Sequence, residues 1–159
     1  MSSYGRARNL SVSRRVMRGF SPDRLSQLRA DRNFSLSDLA RLANIGRSTL
    51  HHWETGHATP QVDLLARAAD TLGVSIGDLV HIPEHERFPG DLRILRGLTQ
   101  PQLGREAKVP TATVGAIERG EAALTDEYAQ RLAAALEVSI EVYRAAYQRS
   151  RHRPPGTPA

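Results

Sequence analysis

The residue types best suited to chemistry in this sequence are its six histidines, three of which fall in the string His51-His52-Trp53-Glu54-Thr55-Gly56-His57. Three imidazoles and a carboxylate form a metal-ligand set by type. Spacing argues against it. A helical zinc site takes ligands at i and i+4 on one face, whereas successive helical residues point about 100° apart. His51 and His52 therefore diverge, and Gly56 ends the helix before His57. His81 and His85 have the four-residue interval but straddle Pro83, which a helix interior does not accept. Cysteine is absent, so disulfide frameworks, thiolate zinc sites, iron–sulfur clusters and cysteine nucleophiles are excluded. Neither a glycine-rich phosphate loop nor a nucleophile motif occurs. The sequence predicts no enzyme, no metal and no other cofactor, and no small-molecule ligand is evident.

Arginine offers a different chemistry. Lys and Arg number 22 against 17 acids, a net charge of +5, and Lys108 is the only lysine. The excess lies at the ends. Arg6, Arg8, Arg14, Arg15 and Arg18 precede position 20 with no acid among them, and Arg144, Arg149, Arg151 and Arg153 follow position 143 with none, so the stretch between is net acidic. Basic ends supply counterion-release affinity for DNA without reading sequence. They fit solvated, disordered termini equally well, and a GC-rich coding bias explains Arg over Lys as well as selection for bidentate phosphate contacts does. No stretch approaches the ~18 apolar residues of a membrane helix. The first twenty residues lack the apolar run of a secretory signal, so a cytoplasmic, nucleoid-associated protein with no membrane partner is expected.

A repeat supplies the elements that must position these groups. Shifted by 64 residues, positions 28–80 align with 92–144 without a gap, and 16 of 53 are identical, among them Leu28/Leu92, Leu39/Leu103, Thr49/Thr113, Gly56/Gly120 and Val74-Ser75-Ile76/Val138-Ser139-Ile140. Helix signals recur at matching places and alternating β-branched runs are missing. In the first unit Ser21-Pro22-Asp23 opens a helix to about Arg32, and Ser35 or Ser37 opens a second. Asn44-Ile45-Gly46 is a turn, Arg47 to Glu54 a third helix stopped by Gly56, Val62 to Leu72 a fourth, and Ser75 starts a fifth turn ending near Val80. The second unit repeats this with Thr99–Ala107, a Lys108-Val109-Pro110 turn, Thr111–Glu118, Asp126–Leu136 and a longer last helix from Ser139. The expected fold is all-α: a basic flexible arm (1–19), two tandem five-helix units (20–80 and 89–149), a short Pro-containing linker (81–88) and a disordered tail (150–159). With 40% hydrophobic and only 5% aromatic residues, the cores must be built from Leu, Ala, Val and Ile.

Two crossing helices need a small residue where they touch (Ala40, Gly104), an apolar residue leaving the turn (Ile45, Val109) and an apolar plug in the second helix (Leu50, Val114). The run Ser35-Leu36-Ser37-Asp38-Leu39-Ala40-Arg41-Leu42-Ala43-Asn44-Ile45-Gly46-Arg47-Ser48-Thr49-Leu50-His51-His52-Trp53-Glu54-Thr55-Gly56 resembles the helix-turn-helix of the Cro and lambda-repressor-like family, also called the xenobiotic response element family. Its counterpart at 99–120 does so too, and the likeness extends over roughly 20–80 and 88–147. The resemblance implies that Arg29 pairs with Glu54 and Arg93 with Glu118, locking the first helix of each unit onto the third. It also implies that the start of each third helix enters the major groove of double-stranded DNA.

On that face the first unit carries Arg47, Ser48, Thr49, His51 and His52, with Ser37 on the preceding helix. Arg47 has the reach and fork for guanine O6 and N7. For each of these residues a phosphate contact or an idle exposed side chain is the alternative. Trp53 is expected in the core. The equivalent face of the second unit reads Thr111, Ala112, Thr113, Gly115 and Ala116, with no long polar reader, and Gln100 stands where the family often places a contacting Gln. This unit either touches phosphates through Gln100, Thr111 and Thr113, meets thymine methyls, or has become a packing or dimerisation partner. The resemblance implies a sequence-specific transcriptional regulator of bacterial or phage type, expected to be a repressor, with the first unit as principal reader and a homodimer allowed. An antitoxin-like or bridging interaction module on the same scaffold is the rival.

Overall fold

Hydroxyl side chains set where most of the helices begin. Ser21, Ser35, Thr99, Thr125 and Ser139 each accept a hydrogen bond from the backbone amide three residues on, at 3.0–3.3 Å, which satisfies a donor that the first helical turn leaves open. The computed structural model describes residues 17–159. Among the described residues the helices are α1 (Pro22–Asp31), α2 (Leu36–Ala43), α3 (Arg47–Glu54), α4 (Val62–Leu72), α5 (Pro89–Leu95), α6 (Gln100–Ala107), α7 (Thr111–Glu118), α8 (Asp126–Leu136) and α9 (Ile140–Arg151). The described residues contain no strand, only one isolated antiparallel bridge between Phe20 and Val80, and no helix long and apolar enough to cross a membrane. The fold is all-α and tandem, and residues 1–16, which carry most of the expected basic arm, lie outside the described residues.

Each unit closes on its own core, and the two cores are built from the same positions of the repeat. Leu28, Leu39, Ala43, Ile45, Leu50, Trp53 and Leu72 are buried in the first; Leu92, Leu103, Ala107, Val109, Val114, Ile117 and Leu136, each 64 residues on, are buried in the second. Part of the volume lost where Ile117 replaces Trp53 is regained where Tyr143 replaces Leu79. The exchange leaves a polar residue behind. The Tyr143 hydroxyl is buried with no hydrogen-bond partner among the described residues, and burial, with the nearby Glu118 carboxylate, pushes its ionisation up. Tyr143→Phe is therefore expected to raise stability by about 1 kcal/mol, because it deletes an unsatisfied buried polar group and little volume. Urea denaturation of the full chain checks this, and a lower midpoint would show that the hydroxyl has a partner after all.

The fifth element of the first unit is the expected turn from Ser75, a single 3-10 turn over Ile76–Asp78, after which the chain bends into its bridge with Phe20. Three details differ from the sequence expectation. The arm ends before position 19: Met17 is buried, and Gly19 accepts a hydrogen bond from the His81 amide at 2.9 Å. The segment 81–88 is not a free tether. Ile82 is buried in the first core, Glu84–Glu86 forms a 3-10 turn, and Arg149 donates to the Arg87 carbonyl at 2.8 Å. Nor is the tail disordered from residue 150. Helix α9 continues through Arg151, and Ser150 is fully buried, because the polar groups that the sequence shows as a basic tail find backbone carbonyls to bind.

The units also touch. Ile94 and Leu95 of α5 pack against the first core, and a Cβ at Gly97 would sit 3.1 Å from Ile76 Cδ1. Arg18 donates to Asp91 Oδ2 at 2.6 Å and lies over the Phe88 ring, 4.5 Å from its centroid. Burial pushes the Asp91 carboxyl up despite the Phe88 amide and the Arg18 guanidinium that hold it.

Candidate nucleic-acid interface

In the first unit, α2 and α3 cross at Ala40, with Ile45 leaving the turn and Leu50 fully buried beneath. Asn44 adopts the left-handed conformation that ends α2, a role its short polar side chain tolerates. Trp53 is 2% exposed. The Arg29 guanidinium clasps Glu54 with two bonds, Nε to Oε1 at 2.7 Å and Nη2 to Oε2 at 3.3 Å, and its Nη1 donates to the Phe34 carbonyl at 2.9 Å. This fixes the roll of α3 about its axis. The single acid of α3 is thus turned inward, while Arg47, Ser48, His51 and His52 are exposed and Thr49 is half-buried.

Arg47 is held by one edge. Its Nε donates to the Ser37 hydroxyl at 3.0 Å, and Nη1 and Nη2 make no hydrogen bond among the described residues. A guanidinium so fixed presents its terminal fork outward, the geometry that bidentate recognition of a guanine edge or a phosphate requires. The sequence places Ser37 and Arg47 on adjacent helices but carries no signal that they bond.

The second unit builds the same crossing more tightly. A Cβ at Gly104 would lie 2.6 Å from the Val109 carbonyl oxygen, so glycine is required where the first unit tolerates Ala40. Arg93 and Glu118 repeat the clasp at 2.6 and 3.1 Å, with side chains only 8% and 3% exposed. Gln100 lies inside the molecule's own network. Its Nε2 donates to Glu118 Oε2 at 2.9 Å, and it lies with Arg119 across Gly115, which is buried. Of the expected contact residues here, Thr111 is exposed and Thr113 half-buried. Arg119, which the sequence did not single out, is paired with Glu121 at 3.0 Å.

The extension of α9 then closes the far end of α7. Ser150 Oγ donates to the Glu118 carbonyl at 2.6 Å, Arg151 to the Gly120 carbonyl at 2.7 Å, and Arg153 to the Arg119 carbonyl. Three carbonyls at the helix end are satisfied, and two of the donors are cations placed where the helix dipole favours them. Among the described residues the last element of the first unit sends no such donors to the end of α3, where Thr55 bonds the His51 and His52 carbonyls instead, and the sequence signals the difference only through the longer last helix.

The histidine string holds no metal-binding group: among the described residues no three His or acidic side chains are placed to share an ion. The His51 and His52 rings are 6.1 Å apart and those of His52 and His57 6.2 Å.

Comparison with known proteins agrees with this architecture. A family model described as helix-turn-helix matches residues 25–79 and again 91–143. A 58-residue stretch, 36% of the chain, is 36% identical to the HTH-type transcriptional regulator AnsR of Bacillus subtilis (strain 168) and covers 50% of it. The chain thus spans about half the length of this curated relative.

Proposed function

Since the chain belongs to the Cro/C1-type helix-turn-helix family through both of its units, we propose that it is a double-stranded-DNA-binding transcriptional regulator. It acts as a repressor by occupying its site in the nucleoid, and it is not an enzyme. The base-reading element is α3 of the first unit. The observation that carries this reading is Arg47, exposed at the start of α3 and gripped through Nε by Ser37, on a helix whose one acid is turned away. Ser48, Thr49, His51 and His52 complete the face. In the second unit the groups that would read bases are missing or engaged, and Gln100 and Arg119 cover the buried Gly115. Its part is to brace the first unit on the duplex and to touch backbone through Thr111.

Selection of bound duplexes from a random pool, followed by footprinting, tests the reading. One enriched motif with protection centred on a single major-groove face is the expected outcome. If no motif is enriched and the protein instead purifies with a partner chain, the interaction-module reading replaces this one.

A further inference from the structure

The two units end differently, and the first is completed from outside. Where the second closes with α9, a helix of 12 residues, the first has only the 3-10 turn Ile76–Asp78. Its core takes in Met17 and Ile82 from just beyond the unit at either end, and Ile94 and Leu95 of α5 pack against it. The approach is close: a Cβ at Gly97 would stand 3.1 Å from Ile76 Cδ1 and 3.2 Å from the Ala66 Cβ. Apolar surface of α5 is thereby covered by the other unit.

Across this seam runs one strap, residues 17–20. Phe20 bridges Val80, and the Gly19 carbonyl takes the His81 amide at 2.9 Å. Gly19 sits at φ +74°, and a Cβ there would fall 2.4 Å from the His81 carbonyl oxygen, so only glycine lets the strap lie this close. With its backbone held on the first unit, Arg18 reaches the second. Its Nη1 donates to Asp91 Oδ2 at 2.6 Å, and the guanidinium covers the Phe88 ring. The same Oδ2 accepts from the Phe88 amide at 2.8 Å, so the strap grips the acid that caps the start of α5. The Asp91 side chain is 6% exposed and that of Arg18 36%, a setting in which an ion pair is screened less than on open surface. The linker is pinned as well, with Ile82 in the first core and the Arg87 carbonyl bonded by Arg149 of α9 at 2.8 Å. Strap, linker and seam all oppose independent motion of the units.

We propose that Arg18 is a positioning residue for DNA binding: by gripping Asp91 and Phe88 it locks the two units into one body, so that docking of α3 delivers the second unit to the duplex in a preset orientation. This inference rests on the DNA-binding reading above. It withdraws Arg18 from the cations available to phosphates and gives it an internal task. A second unit on a loose tether would lose its freedom only on binding, at a cost in affinity, whereas a locked one has lost it already.

Two measurements on the full chain test this. Backbone amide NMR relaxation of the free protein gives a rotational correlation time for each unit, and one shared value is expected. Asp91→Asn keeps an acceptor for the Phe88 amide but gives up the ion pair, and in it the two values should separate and shorten. Fluorescence anisotropy then measures affinity for the selected duplex, which is expected to fall ~3- to 10-fold in Asp91→Asn and in Arg18→Ala alike. The sign for Asp91→Asn is decisive. If Arg18 were a phosphate contact, removing the acid that holds it would leave affinity unchanged or raise it, because the variant is the more positive protein. That result, or a shared correlation time kept in both variants, would overturn the proposal. Should circular dichroism show that Asp91→Asn does not fold, Arg18→Ala decides by its correlation times, since its side chain belongs to neither core. A wild-type chain that binds no duplex would overturn the DNA reading and the positioning role with it, while the lock itself is read from the relaxation alone.

Discussion

Arg93→Ala is expected to destabilise the protein by about 3–5 kcal/mol, because it removes the guanidinium that neutralises the buried Glu118 carboxylate, which the uncharged Gln100 amide cannot replace. The pair is nearly sealed from water, at 8% and 3% side-chain exposure, and Arg93 also satisfies the Leu98 carbonyl at 2.9 Å. The matching Arg29→Ala removes the same bonds from a site 19% and 10% exposed, where water can rescue Glu54, so its cost should be nearer ~1–3 kcal/mol. Urea denaturation of both variants decides the order. Equal losses would show that burial does not set the difference, and a larger loss for Arg29→Ala would contradict the account of the two clasps.

Arg47→Ala is expected to cost ~1–3 kcal/mol on the preferred duplex and to relax discrimination at one base pair. Thr111→Ala, at the corresponding position of the second unit, should cost less, since its side chain is too short for two bonds to a base. Ser37→Ala separates position from contact: it frees the Arg47 Nε now held at 3.0 Å and should lower specificity without removing the charge. The rival role for Arg47 is a plain phosphate grip. In that event its loss would weaken specific and random duplexes alike, and the ratio of the two affinities would not move.

What could be read in the sequence is what a short window or a repeat encodes. The Ser and Thr caps, the turn at Asn44-Ile45-Gly46 and the plugs Leu50 and Val114 all follow from residues within a few positions of one another, and the 64-residue repeat extended each reading from one unit to the other. Trp53 in the core follows from the position it shares with Ile117. What escaped depends on contacts between distant segments. Gln100 looks free in sequence because its partner Glu118 lies 18 residues away. Ser150, Arg151 and Arg153 look like a solvated basic tail because the carbonyls they bind belong to the end of α7 and the turn after it, more than 30 residues earlier. Arg18 reads as part of a free arm until Asp91 is placed beside it, 73 residues on. Charge counting finds such cations but cannot say whether they face DNA or the protein's own backbone. The asymmetry of the units was legible in composition, since Thr, Ala and Gly replace Arg, Ser and His, but its physical form, a face covered by Gln100 and Arg119, was not.

The most direct measurement of the central claim is the affinity of the full chain for its selected duplex against a scrambled duplex of equal length and composition, each titrated at physiological ionic strength. A protein that reads bases through α3 should prefer the selected duplex by ~10³-fold or more. Equal affinities for the two duplexes, falling together as salt is raised, would mean that the protein grips only phosphates and that α3 does not read sequence.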